Sequence, residues 1–347
     1  MSKKRINLAL QGGGAHGAFT WGVLDHLLSD DRLEIAGISG TSAGALNGAA
    51  LKAGLLTGGP EAARENLDWL WAQMGAIDDN RFSNWMTEFS PFPSMMSSFM
   101  EAAFPFSMAE AATNFISPYD YGPAYFNPLT QIAERFHYDL VCRECEPALF
   151  VSATNVKTGK LRVFQKDSIN ADAILASTCL PTLFQAVELK NPTTGEIESF
   201  WDGGYIGNPA LYPLLDDTLP GDIVIVNINP LYRDEVPRTA SEIQNRINEI
   251  SFNSSLLREL RSLSFTQKLV EQGKLKPGSM KDLYIHMIAD NDLMNELSVV
   301  SKMIPNPATL NKLKQAGIVA AEQFIDAHFD QIGKANTVDL PDMFQDE

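Results

Sequence analysis

The sequence predicts a three-layer α/β/α fold with a mainly parallel central sheet, plus a helical C-terminal region. Three observations carry that expectation. The N-terminal stretch alternates strand, loop, helix, strand, turn and helix, the order from which parallel layers are built. Residues 222–228 form a nearly unbroken apolar run through Ile223, Val224, Ile225 and Val226, as a strand covered on both faces must be. Beyond Pro230, apolar residues recur at helical spacing over 241–272 and again over 307–328.

Taken in order, residues 6–10 read as a buried strand and 11–17 as a glycine-rich loop. Phe19, Val23, Leu24, Leu27 and Leu28 line one face of a helix over 18–28. A second strand spans 33–39, a sharp turn 40–44, and a helix rich in small residues starts at Ala45. Leu67, Leu70, Trp71 and Met74 mark a further helix over 61–74. Residues 81–126 are rich in Met and Phe and broken by prolines at 91, 93, 105, 118 and 123, so they read as an insertion of short helices. That insertion suits either a satellite core or a lid and acyl-chain pocket, because thioethers and aromatics adapt to a variable alkyl ligand. Strand reading resumes over 149–154, with a hairpin partner at 161–164 and a second hairpin from 187–189 and 197–201. A short strand at 283–288 interrupts the C-terminal helices. The expected division is a catalytic unit over 5–229 and a helical accessory region over 230–340.

Composition narrows the function. The chain of 347 residues is 45% apolar and 20% charged, ordinary for a folded chain with a sizeable core. Its 27 basic and 43 acidic residues leave a net charge of −16, which repels phosphate backbones and excludes nucleic acid as a natural partner. Any contact with a membrane or lipid surface is then expected to be transient, apolar and local. Cys142, Cys145 and Cys179 cannot form a disulfide framework, and the basic start is followed by too short an apolar run for a signal peptide, so the cytoplasm is the expected location.

The chemistry concentrates in three short segments. Gly40-Thr41-Ser42-Ala43-Gly44 is a G-x-S-x-G pentapeptide between a strand and a helix. There a serine takes a strained backbone conformation at a nucleophile elbow, and the helix N-terminus behind it offers free N–H groups. Gly12-Gly13-Gly14-Ala15-His16-Gly17 also joins a strand to a helix. Gly12, Gly14 and Gly17 fit a dinucleotide fingerprint, but that site needs an acidic residue at the end of the second strand, where this chain has the serine turn. The loop reads better as an oxyanion hole, with backbone N–H groups of Gly12, Gly13, Gly14 and Ala15 facing the carbonyl attacked by Ser42. Asp202-Gly203-Gly204 places a carboxylate at a strand end, where sites of parallel α/β sheets gather, and makes Asp202 the candidate base.

Together these segments resemble the patatin-like phospholipases, in which a G-G-G-x-[R/K]-G loop, a G-x-S-x-G elbow and a D-G-[G/A] turn occur in this order. The resemblance runs over about residues 5 to 215 and includes the segment Ala176-Ser177-Thr178-Cys179-Leu180-Pro181. It implies a lipase or phospholipase A-like acyl hydrolase using a Ser42–Asp202 dyad, an acyl-enzyme, a lipid or acyl-ester substrate, and no metal or organic cofactor. Gly17, Gly40, Gly44, Gly203 and Gly204 would support the site. His16 stands where the family has Arg or Lys, and a histidine there is expected to be partly charged near neutral pH.

Other readings remain open on sequence. An esterase of the same fold acting on other esters, including polyhydroxybutyrate, would share these motifs, as would a binding or regulatory protein without turnover. The order Ser42, Asp202, His286 imitates a hydrolase triad, but His286 lies inside an apolar strand and reads as a core residue. Cys142-Arg143-Glu144-Cys145, with His137 nearby, lacks the further ligands a zinc site requires.

Overall fold

A computed structural model describes residues 3–80, 117–141, 145–276, 278, 280–297, 301–302 and 305–344. Most of the Met/Phe-rich insertion (81–116) and Cys142 lie outside the described residues.

An eight-stranded sheet organises the described residues. The strands are β1 (Lys4–Leu10), β2 (Leu33–Thr41), β3 (Ala148–Asn155), β4 (Leu161–Gln165), β5 (Val187–Lys190), β6 (Ile197–Asp202), β7 (Asp222–Val226) and β8 (Tyr284–Ile288). Their order across the sheet is β5-β6-β3-β2-β1-β7-β8, with β4 paired to β3. Strands β3, β2, β1, β7 and β8 run parallel, and β4, β5 and β6 join antiparallel. Both hairpins expected from sequence are present. The C-terminal region does not stand apart from the sheet: β8 pairs along the whole of β7, from Asp222 opposite Tyr284 to Val226 opposite Ile288.

Helices cover both faces. The period-two geometry of β7 sends Val224 and Val226 into one core and Ile223 and Ile225 into the other. The first core is closed by α1 (Gly17–Ser29), by α2 (Ala43–Asn80), by α3 (Ala171–Ser177) and by α5 (Pro307–His328). The second is closed by Leu256 and Leu260 of α4 (Ala240–Glu271), together with Leu211, Leu214 and Leu340. Helix α2 is broken at Gly58 and Gly59, the latter at φ 76°, just ahead of Pro60. A left-handed glycine followed by proline ends one helix and starts the next, which explains why the sequence shows two helical segments there.

This topology gathers chemistry at one edge. The chain leaves β1 into the glycine loop, leaves β2 into the serine turn, and leaves β6 at Asp202, which pairs with Ala153 near the end of β3. All three lie at the carboxyl end of the parallel strands, where loops converge on a crevice.

Candidate active site

Ser42 is a backbone outlier in the sense expected of a nucleophile elbow. Its φ is 54°, a left-handed value that costs a non-glycine residue about 1–3 kcal/mol and persists only where its surroundings enforce it. Gly40 and Gly44 allow the close approach: a Cβ on Gly40 would strike the carbonyl of Gly44, and one on Gly44 would strike that of Leu10. The N–H of Ser42 donates to Ser177 Oγ at 2.9 Å, and its carbonyl accepts from Ala45 and Leu46, starting α2. Two hydroxyls on β2 tie the elbow to the loop after Asp202. Ser39 Oγ donates to Ala210 O at 2.6 Å and Thr41 Oγ1 to Gly207 O at 2.6 Å.

Asp202 is buried, at 0% exposure, and Ser42 nearly so at 7%. The aspartate is held from three directions. Its N–H donates to Cys179 O at 2.7 Å, its carbonyl accepts from Thr154 Oγ1 at 2.8 Å, and its Oδ1 accepts from Gly204 N at 2.7 Å. Gly203 lets the turn close, since a Cβ there would strike Ser152 O. The second oxygen of Asp202, Oδ2, makes no hydrogen bond to a backbone group among the described residues. The Ser42 hydroxyl acts on the carboxyl as a hydrogen-bonding neighbour. Burial pushes the carboxyl up to about 7 against the opposing pull of Gly204 N–H and Ser42. Burial, reinforced by the Asp202 charge, also pushes the thiol of Cys179 and the phenol of Tyr205 up to about 12, so both stay neutral beside it.

The glycine loop follows β1 as a short 3-10 turn, Gly14–His16, that runs into α1. Gly12 packs on the serine so closely that a Cβ there would come 2.7 Å from Ser42 Cβ. Its N–H donates to Asn208 Oδ1 at 2.6 Å, so that group is engaged within the protein. The N–H groups of Gly13, Gly14 and Ala15 precede the first closed hydrogen bond of the turn, from His16 N to Gly13 O. Gly17 opens α1 and its carbonyl accepts from Asn47 Nδ2 at 3.0 Å.

His16 departs from the expectation of partial charge. It is fully buried, and burial pulls its pKa down to about 3, helped by the nearby cations Lys302 and Arg233 against Glu249. It is a neutral ring whose Nε2 sits 2.8 Å from Ser301 Oγ. Lys302, Arg233 and Arg246 gather around buried Glu249, and burial pulls the Lys302 pKa down against the pull of that carboxylate.

Several residues of the site carry no motif. Gln11, Ser177, Asn208, Asn229, Asn253 and Glu249 are all buried. Ser177 lay within the segment ahead of Asp202 that the sequence singled out, and Asn208 follows the Asp-Gly-Gly turn closely, which are the available signals. His286 takes no part: its Nε2 donates to Asp222 Oδ1 at 3.0 Å and its Nδ1 lies 3.2 Å from Thr337 Oγ1, at the opposite end of the sheet. Cys145 and Cys179 are free thiols, one exposed and one buried. A cleft of about 550 Å³ lined by Asp290, Gln315 and Gln323 includes none of the site residues. Among the described residues no helix is long and apolar enough to cross a membrane.

Comparison with known proteins agrees with this geometry at the level of family. No curated protein matches the chain. Among solved structures, VipD from Legionella pneumophila is similar at 16% identity and a TM-score of 0.44, covering 94% of this chain and 68% of that one. The ExoU–SpcU complex from the type III secretion system of Pseudomonas aeruginosa is similar at 16% identity and a TM-score of 0.34, covering 98% of this chain and 74% of that one. The family model of patatin-like phospholipases matches residues 8–215, well over half of the chain and all three motifs, and the chain belongs to that family.

Proposed function

We propose that the chain is a serine acyl hydrolase that cleaves carboxylic esters of lipids through a Ser42–Asp202 dyad. The observation that carries this reading is a fully buried carboxyl, pushed up to about 7, on which the hydroxyl of a serine held at positive φ acts as a hydrogen-bonding neighbour. A base whose pKa lies near the working pH combines availability with driving force for proton transfer.

In this mechanism ionised Asp202 takes the Ser42 hydroxyl proton as Oγ attacks the ester carbonyl. The tetrahedral oxyanion is met by the N–H groups of Gly13, Gly14 and Ala15. Gly12, whose own N–H is engaged by Asn208, shapes the loop instead. Protonated Asp202 returns the proton to the departing alcohol as the carbon–oxygen bond breaks, leaving the acyl-enzyme. Water, deprotonated by Asp202, then releases the acid and restores Ser42. With a charge of −16, the protein meets lipid by local apolar contact rather than by attraction to anionic headgroups.

Labelling with a fluorophosphonate, followed by a panel of phospholipid, triglyceride, polyhydroxybutyrate and p-nitrophenyl esters, tests the proposal. Stoichiometric modification of Ser42 with release of fatty acid from phospholipid is expected. Labelling with turnover only on simple esters or the polyester would make it an esterase of the same fold. Absence of labelling and turnover, on micelles as well as in solution, would leave a lipid-binding protein.

A further inference from the structure

Two side-chain amides hold the peptide unit joining Gly12 to Gly13. Its carbonyl oxygen, on Gly12, accepts from Asn229 Nδ2 at 2.8 Å and from Asn208 Nδ2 at 3.2 Å. Asn208 also takes the Gly12 N–H through Oδ1 at 2.6 Å, so one side-chain amide holds both backbone groups of the same residue. In a trans peptide the carbonyl and the following N–H point in opposite directions. Two donors on the Gly12 oxygen therefore fix where the Gly13 N–H points: away from the asparagines. The unit starts on a Cα packed against the Cβ of Ser42.

The two asparagines are themselves immobilised. Asn208 donates its N–H to Ser255 Oγ at 3.2 Å, and its carbonyl accepts from Gln11 Nε2 at 3.3 Å. Asn229 donates its N–H to Gln11 Oε1 at 3.1 Å, and its carbonyl accepts from Asn253 Nδ2 at 3.2 Å. Lys302 Nζ reaches Asn229 Oδ1 at 3.4 Å and Glu249 Oε1 at 3.5 Å. A cation on the amide oxygen polarises the amide and strengthens its N–H groups as donors. Both asparagines are at 1% exposure or less, where a hydrogen bond is strong and a missing one costly.

We propose that Asn208 and Asn229 are positioning residues of the oxyanion hole: by clamping the Gly12 carbonyl they aim the Gly13 N–H at the oxygen that becomes negative when Ser42 attacks. Lys302 Nζ, paired with Glu249, holds the Asn229 amide oxygen from the far side. The inference rests on the acyl-hydrolase reading, and the measurement separates the two.

The experiment measures kcat and KM on p-nitrophenyl butyrate per active site titrated with an organophosphonate, together with the Ki of a trifluoromethyl ketone. That ketone adds the serine and places an oxyanion in the hole. Asn229→Leu and Asn208→Asp each remove one of the two donors to the Gly12 oxygen, and Asn229→Asp does so with nearly the native shape should the leucine variant not fold. The expected result is a fall in kcat per titrated site of about 10- to 100-fold, below the cost of deleting an oxyanion donor outright. An equal weakening of the ketone is expected, with KM within about twofold. A merely structural role would lower the fraction of titratable sites and leave kcat per site alone, and that result would overturn the proposal. So would a fall in kcat with full affinity for the ketone. If the wild-type protein neither reacts with the organophosphonate nor turns over ester, the acyl-hydrolase reading fails and this proposal with it.

Discussion

Two buried aspartates lie at opposite ends of the same sheet and behave differently. Asp222 begins β7; its Oδ1 accepts from His286 Nε2 at 3.0 Å and from Gly333 N at 2.6 Å, and the other ring nitrogen lies 3.2 Å from Thr337 Oγ1. Asp202 ends β6, with one oxygen on Gly204 N–H and the other without a partner among the described residues. The first arrangement ties residues 333–337 to the sheet. The second leaves acceptor capacity unspent in a water-poor place, which is expensive for stability and useful for taking a proton. Burial alone therefore does not mark a catalytic carboxylate. What distinguishes Asp202 is burial combined with a serine hydroxyl within reach and a pKa pushed up to about 7.

The largest expected effect separates these two sites by turnover. Ser42→Ala and Asp202→Asn should each lower kcat on p-nitrophenyl esters by on the order of 10³-fold or more. Their thermal midpoints should stay at or above that of the wild type, because Asp202→Asn removes a poorly solvated charge. Rapid hydrolysis by folded Asp202→Asn would remove the distinction.

The next effect is one of pH. With Asp202 at about 7, kcat/KM should fall toward tenfold per pH unit below that value and level off above it. Stability should run the other way. The folded carboxyl binds its proton more tightly than the unfolded one, whose ordinary value is about 3.9, so stability is lost as pH rises between about 4 and about 7. Asp202→Asn should flatten that limb in urea titrations at a series of pH values. An unchanged limb in the variant would assign it to other groups.

The smallest effect on turnover belongs to Asp222. Asp222→Ala strands the His286 ring and the Gly333 N–H in the interior, and should cost about 2–4 kcal/mol in equilibrium unfolding. Its kcat per titrated site should match the wild type. A large loss of kcat there would mean that the two ends of the sheet are coupled.

Much of this was legible in the sequence because it is local. The elbow is a pentapeptide, Asp202 sits on its own glycine turn, and α5 spans Pro307–His328, just where apolar spacing places a helix. Strand β7 was legible because burial on both faces leaves no polar alternation. The clamp on the glycine loop was not legible, because its partners lie far along the chain: Gly12 meets Asn208 and Asn229, and Gln11 meets Asn253. An asparagine has no sequence signature for which distant backbone oxygen it will hold. The charge state of His16 was hidden for the same reason, since its burial and its cationic neighbours Lys302 and Arg233 are set by the C-terminal chain. Strand β8 could be recognised as a strand, but only assembly shows it pairing beside β7.

The long reach of that clamp also bears on biosynthesis. Ser42 and its glycine loop are translated before the loop's braces at Asn208, Asn229 and Lys302, and β1 pairs on one side with β7. A chain growing from the ribosome thus carries Ser42 long before the groups that brace the facing loop, and contacts so distant in sequence form late. On a nascent chain that has not yet reached Asn208, Asn229 and Lys302, the backbone of Gly12 has none of these side chains to hold it.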